Sequence, residues 1–389
     1  MLTSTDRILT THAGRLQRPD AITEAMESHP DGRPTDDTFS AQLSVAVADV
    51  VHQQVEAGVD IVNDGEFGKL SWNNYLNGRL AGHEIVPEAT LKPLQRTSRD
   101  RRDFAEFYKD LESTGFYYFR NPGRFAPEGM RWACTAPVSY RGEAELMQDL
   151  ANLKAAVEAS GAREAFIPAT SLVRPNMNHY YPTETDYYVA VGEAMRTEYQ
   201  AIVDAGFILQ IDDPHLPDMW ETHSPALSLA EYRRIAEAYV ELVNHSLRGI
   251  PEDRIRYHIC WGSWHGPHVH DIPLRDIVDL LLKVKAQGYV FEAANARHEH
   301  EWPVWRDAGI PDNKILIPGV ISHATNVVEH PDLVAMRIGN FAGIVGRERV
   351  IAGTDCGLGY RVHPQIAWAK LRTLAEGARR ATAGLWNGR

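Results

Sequence analysis

Short apolar runs rich in β-branched and aromatic residues alternate along the chain with longer stretches whose apolar positions recur at helical spacing. The first kind predicts strands and the second amphipathic helices. Strands are expected at Ile8 to Thr11, Asp60 to Asn63, Trp132 to Val138, Ala165 to Pro168, Phe207 to Ile211, Ile255 to Cys260, Tyr289 to Phe291, Ile315 to Val320 and Val350 to Ala352. Helices are expected over Phe39 to Ala57, Glu143 to Ala159, Thr185 to Ala205, Leu229 to Leu247, Leu274 to Gln287, Asp332 to Val345 and Gln365 to Ala383. Such alternation marks parallel βα units, and eight of them in right-handed series close into a barrel. One of the nine strands must then lie outside the ring. An open doubly wound sheet carries the same alternation and stays open on pattern alone.

The stretch 83–129 interrupts the rhythm, with a charged run at Thr97-Ser98-Arg99-Asp100-Arg101-Arg102-Asp103 and aromatics at Phe116-Tyr117-Tyr118-Phe119. It is expected to be a long insertion after the second strand, on the face of a barrel where substrates bind. The alternative is a structural flap that touches no substrate.

Composition narrows the function classes. The 389 residues carry 40 Lys and Arg against 52 Asp and Glu, a net charge of −12, and no basic stripe stands out, which argues against nucleic acid or an anionic membrane as partner. No window approaches 18 apolar residues, and the opening residues lack the basic-then-apolar order of a secretion signal, so a cytoplasmic location is expected. Three cysteines cannot build a disulfide framework, which turns attention to metal binding or catalysis. No P-loop, no glycine fingerprint after a strand and no internal repeat supports a nucleotide cofactor.

The polar residues at the strand ends say more. The first strand runs into His12, the second into Asp64-Gly65-Glu66, the one at 207 into Asp212-Asp213 and the one at 315 into Ser322-His323. In a barrel these ends share one mouth. On the strand at 255, His258 and Cys260 stand two apart, so their side chains face the same way and can grip one metal ion. Glu292 and Cys356 end two other strands, and a set of His, Cys, Cys and Glu suits zinc. His-x-Cys alone would read equally as a buried core pair, and Cys134, inside an apolar strand, as inert packing. His265, His268, His270, His298 and His300 offer either a second metal site or polar loops lining the mouth. Glu66, Asp212 and Asp213 suit general acid–base work, a grip on a substrate ammonium, or helix capping.

These residues together resemble the cobalamin-independent methionine synthase superfamily, whose catalytic barrel holds zinc with a His-x-Cys, a later Glu and a distant Cys. The likeness extends from Thr10-Thr11-His12-Ala13-Gly14 through Asn63-Asp64-Gly65-Glu66, Leu209-Gln210-Ile211-Asp212-Asp213-Pro214 and Pro318-Gly319-Val320-Ile321-Ser322-His323 to Asp355-Cys356-Gly357-Leu358. The blocks Cys260-Trp-Gly-Ser-Trp-His-Gly-Pro-His268, Phe291-Glu-Ala-Ala-Asn-Ala-Arg-His-Glu-His-Glu-Trp302 and Asn326-Val-Val-Glu-His-Pro331 are similar to the short single-barrel branch containing epoxyalkane:coenzyme M transferase.

The resemblance implies one (β/α)8 TIM barrel over residues 1–389, with zinc at its C-terminal mouth and alkyl transfer to a thiol as the reaction. The zinc-bound thiolate of a small, homocysteine-like thiol would attack a methyl donor such as methyl-tetrahydrofolate. Glu66 and Asp212 would meet the amino end of the thiol, His12 and Asp213 would join them at the mouth, and His323 would aid proton delivery to the leaving group. One position departs: Arg15 stands where the superfamily usually has the Ser that holds the homocysteine carboxylate. A guanidinium there suits a carboxylate or a sulfonate. Coenzyme M opening an epoxide is therefore the alternative, with Arg15 or Arg297 holding its sulfonate. A zinc hydrolase using Asp212 or His323 as base, and a purely structural zinc, complete the field. A homo-oligomer is left open.

Overall fold

The computed structural model describes residues 1–29, 33–91, 98–114, 130–172 and 177–387. The aromatic run at 116–119 lies outside them. Among the described residues there are ten strands: β1 (Leu9–Thr10), β2 (Ile61–Val62), β3 (Leu80–Pro87), β4 (Met130–Tyr140), β5 (Glu164–Thr170), β6 (Ile208–Asp213), β7 (Ile255–Ile259), β8 (Gly288–Phe291), β9 (Ile315–Ile321) and β10 (Ile351–Thr354). Eight form one parallel sheet in the order β1-β10-β9-β8-β7-β6-β5-β2. Its two ends meet. The Asp60 amide donates to the Thr10 carbonyl at 3.1 Å, and Thr11 Oγ1 to the Ile61 carbonyl at 3.0 Å. Helices flank the ring, which is a (β/α)8 TIM barrel.

Of the nine expected strands the one outside the ring is β4, paired antiparallel with β3 from Leu80↔Tyr140 to Pro87↔Met130 in a separate two-stranded sheet. Strand β3 escaped the sequence pattern because Gly82, His83, Glu84 and Pro87 dilute its apolar positions. Position 83 thus falls inside a strand of the excursion, which leaves the barrel earlier than expected. Its helices Arg99–Asp103 and Ala105–Thr114 rest on the loops after β6 and β7. Ser98 Oγ and the Asp100 amide donate to Glu221 at 2.6 and 3.0 Å, Val269 N donates to Asp100, and Trp264 Nε1 donates to the Tyr108 hydroxyl at 3.1 Å.

Six of the seven expected helices form within a few residues of their predicted limits, among them Asp37–Glu56, Glu143–Ser160 and Pro331–Val345. The stretch from Leu274 does not. It breaks into the 3-10 turn Leu274–Asp276 and the single helical turn Val278–Leu281, and the Gln287 amide goes instead to the carbonyls of Glu252 and Ile255.

Alternation along the strands sorts side chains between the barrel interior and the shell beneath the helices. Leu9, Ile61, Phe166, Ile208, Val290, Ile315, Ile317 and Ile351 fill the interior, with Met1 and Leu2 packed against them. Above this layer the interior turns polar. Buried Arg256 lies over the Phe166 ring and donates to Thr11 Oγ1 and the His12 carbonyl at 2.9 and 2.7 Å. Strands β9 and β10 approach so closely that a Cβ on Gly319 would sit 2.2 Å from Asp355 Oδ1. Among the described residues no helix is long and apolar enough to cross a membrane.

Candidate metal centre

Strand β7 carries Arg256, His258 and, just past its end, Cys260 in one phase. The loop after β10 brings Cys356 to them from the far end of the sequence. One ligand atom from each of His258, Cys260 and Cys356 lies within 4.8 Å of the others, and among the described residues this is the one such group of His, Cys, Asp or Glu. The two sulfurs are 3.7 Å apart. His258 is 3% exposed; its Nδ1 faces Asp212 Oδ1 at 3.1 Å, and its Nε2 is buried with no hydrogen-bond partner. A buried imidazole nitrogen left bare beside two thiols is costly unless something takes its lone pair, so the donor set fits a metal ion.

The electrostatics agree with a shared centre. Burial works against charge on His258, but the hydrogen bond to Asp212 lifts its pKa to about 9. A hydrogen bond from Cys260 brings Cys356 down to about 6, with His258 and Arg361 assisting, while the same contact and burial push Cys260 up.

Glu292 stands beside this trio without joining it. One carboxylate oxygen accepts the Trp261 amide at 3.1 Å and the other accepts Asn295 Nδ2 at 2.6 Å. Burial raises its pKa to about 7. Asp355 ties the two loops together by accepting the amides of Ala293 and Ala294 and a bond from Asn295. The sequence marks Asp355 as a polar strand end without giving it a role, and Asn295 only as part of a block already quoted.

The remaining candidates separate. Asp212 points into the mouth, but Asp213, one residue on, points into the shell, where it accepts the Tyr239 and Tyr257 hydroxyls at 2.8 and 2.6 Å and the His215 amide. That placement corrects its expected part in substrate binding. His12 likewise turns outward, its Nε2 on Gln54 of the helix Asp37–Glu56 at 2.7 Å. Arg15 pairs with Glu66 at 3.2 Å and donates to the carbonyls of Lys69 and Leu70, so its guanidinium is already engaged. Arg297 is exposed and donates to the Val269 carbonyl. Glu66 is held at a positive φ of 58° after Gly65; burial raises its pKa against the pull of Arg15. His323 is buried, its Nδ1 has no partner, and burial together with Arg361 and His265 holds its proton affinity well below the ordinary value. Arg361, whose field reaches both cysteines, was missed because it lies five residues past Cys356 in a loop with no periodicity.

The other histidines form no second cluster of metal ligands among the described residues. Asp271 bridges His268 at 3.1 Å and His298 at 3.2 Å, and His298 also meets Glu301 at 2.8 Å. His270 pairs with Asp103.

No protein-family model matches the chain. Known proteins do. It is 23% identical over 374 residues to a protein of Sulfurisphaera tokodaii named methionine synthase, covering 95% of this chain and 91% of that one. A methionine synthase of Saccharolobus islandicus strain Y.N.15.51 is 24% identical over 373 residues, with 95% and 93% covered. Over nearly its whole length the chain is thus similar to proteins named methionine synthase. Solved structures share its fold: a B12-independent methionine synthase from Shewanella sp. W3-18-1, in complex with selenomethionine, superposes with a TM-score of 0.71 at 16% identity, covering 98% of this chain and 99% of that one. A putative vitamin-B12-independent methionine synthase from Listeria monocytogenes gives a TM-score of 0.65 at 19% identity, with 96% and 98% covered.

Proposed function

We propose that the protein is a zinc-dependent thiol S-alkyltransferase, in which a small homocysteine-like thiol receives a methyl group from a donor such as methyl-tetrahydrofolate. The observation that carries this reading is the bare Nε2 of His258 facing the Cys260–Cys356 sulfur pair. Relatives named methionine synthase over nearly the whole chain support the same chemistry. We read residues 1–389 as one catalytic domain, with the excursion after β2 lying over part of the mouth.

His258, Cys260 and Cys356 would hold the zinc, and Glu292, whose charge is felt by both cysteines, would be the fourth ligand once its carboxylate turns toward them. Zinc there would supply a deprotonated yet nucleophilic thiol at neutral pH, where a free thiol of pKa about 8.5 is mostly protonated. Two anionic protein sulfurs keep such a centre electron-rich and favour thiol activation over hydrolysis. Glu66 and Asp212 present carboxylates to the ammonium of an amino-thiol. His323, which burial and Arg361 keep neutral, would pass a proton to the leaving group once negative charge developing there raises its proton affinity. Arg15 and Arg297 are both engaged by protein groups, and homocysteine ranks ahead of coenzyme M on the relatives named methionine synthase.

X-ray absorption at the zinc edge, on protein alone and with homocysteine or coenzyme M, tests the reading. The sulfur count should rise from two to three with homocysteine. Bound zinc whose sulfur count neither thiol changes would overturn thiol activation, and a protein that takes up no zinc would overturn the whole reading.

A further inference from the structure

Beneath the metal ligands, a chain of buried hydrogen bonds runs up the interior of the barrel. Arg256 Nε donates to Gln210 Oε1 at 2.6 Å. A guanidinium has no acceptor to offer, so this contact fixes which end of the Gln210 amide is oxygen. Its nitrogen must then face the other way. Gln210 Nε2 donates to Asp212 Oδ1 at 2.6 Å and to the Ala13 carbonyl at 2.7 Å. The same Asp212 oxygen meets His258 Nδ1 at 3.1 Å. Arg256 and Gln210 are both fully buried and lie in the inward phase of neighbouring strands, at the registered pair Gln210↔Arg256, one step below Asp212↔His258.

We propose that Gln210, its amide oriented by Arg256, is a positioning residue for the metal centre: it holds the Asp212 carboxylate against His258 Nδ1 and so commits His258 Nε2 to the metal. Resting on the metal reading above, this extends it two layers into the barrel. An acceptor on Nδ1 fixes the imidazole tautomer and makes the opposite nitrogen a better donor. Asp212 thereby acquires a second task. One oxygen serves the metal ligand, and the other, free of protein partners in the geometry described, remains for substrate. Nothing in His258 or Cys260 requires a glutamine at 210. A hydrophobic residue there would fill the interior as well, but would leave Arg256 Nε and Asp212 unsupported.

The test is the affinity of the apo protein for Zn2+ and Co2+, measured by competition with a chromophoric chelator, together with the Co2+ absorption spectrum. Gln210→Glu keeps an oxygen for Arg256 Nε but removes the N–H that Asp212 receives. It should stay folded, with a thermal midpoint close to that of the wild type, and lose about 10- to 100-fold in metal affinity. Asp212→Asn should show a loss of similar size. Asp213→Asn, altered on the outer face of the same strand, should lower the thermal midpoint and leave metal affinity unchanged, which separates positioning from general damage to β6. Metal affinity within twofold of wild type for a folded Gln210→Glu would overturn the inference and leave the metal reading standing. A wild-type protein that binds neither ion would instead overturn the metal reading itself.

Discussion

At the scale of single residues, adjacent positions with the same chemistry have opposite fates. Asp212 and Asp213 are both carboxylates at the end of β6, yet one serves the mouth and the other anchors two tyrosines in the shell. The period of two was legible in the sequence, and it paired His258 with Cys260 correctly. Applied to β6 it also allows only one of the two aspartates to face inward. Which one follows from Gln210, whose phase matches Asp212. Pattern could not foresee that Glu292 would be held by Trp261 and Asn295, or that Arg15 would be spent on Glu66, because such partners come from loops that carry no period. At the centre itself, Cys356→Ser should abolish stoichiometric zinc uptake, read by metal analysis after dialysis, while retaining the helical circular dichroism of the wild type.

Away from the mouth, Asp149 shows how a buried charge is kept. Burial alone would raise its carboxyl, but Arg33 at 2.8 Å and Arg79 at 2.7 Å hold it below the ordinary 3.8. A carboxyl depressed by folding contributes stability in full above its unfolded value and loses it as pH falls through the folded one. Asp149→Asn should therefore cost about 3–5 kcal/mol at pH 7. It should also flatten the fall in stability below about pH 4. Urea unfolding at pH 7 and pH 3 checks both; an unchanged acid slope in the variant would remove Asp149 from the account.

Among elements, strands were easier to read than their partners. All eight ring strands and every long helix announced themselves in the sequence, since each buries a continuous apolar face. Strand β3 did not, being broken by Gly82 and Pro87, and neither did the failure of the Leu274 helix, whose apolar residues are buried by a 3-10 turn and one helical turn instead. The register shift at Gly353/Thr354, where β10 leans on β9, was invisible as well. Here Gly319 is required for proximity, since any side chain would strike Asp355. Gly319→Val should push β9 and β10 apart at a cost of about 3 kcal/mol and weaken metal binding too, because β10 leads directly into the ligand Cys356. Chemical denaturation and chelator competition on the same preparation would show whether the two losses occur together.

For the whole molecule, the barrel is closed at one end by its own beginning. Met1 and Leu2 pack beneath the interior cluster, the Met1 ammonium donates to the Asp253 carbonyl at 2.8 Å and the Leu2 amide meets Glu164. Replacing Leu2 with Ala should cost about 2 kcal/mol in urea unfolding without altering metal affinity, the far end of the barrel being untouched. β1 is bonded to β10, Leu9 against Ile351, and the Ile8 amide donates to Thr382 of the final helix. A chain folding from its first residues therefore has no neighbour for β1 on that side until almost all of it is present. Contacts of such sequence separation close late and slowly. Cys356, just past β10, likewise meets Cys260 only after β10 has docked on β9. Until then the two thiols are apart and uncovered, so the interval between synthesis and the docking of β10 is when the centre is open to oxidation and to the wrong metal.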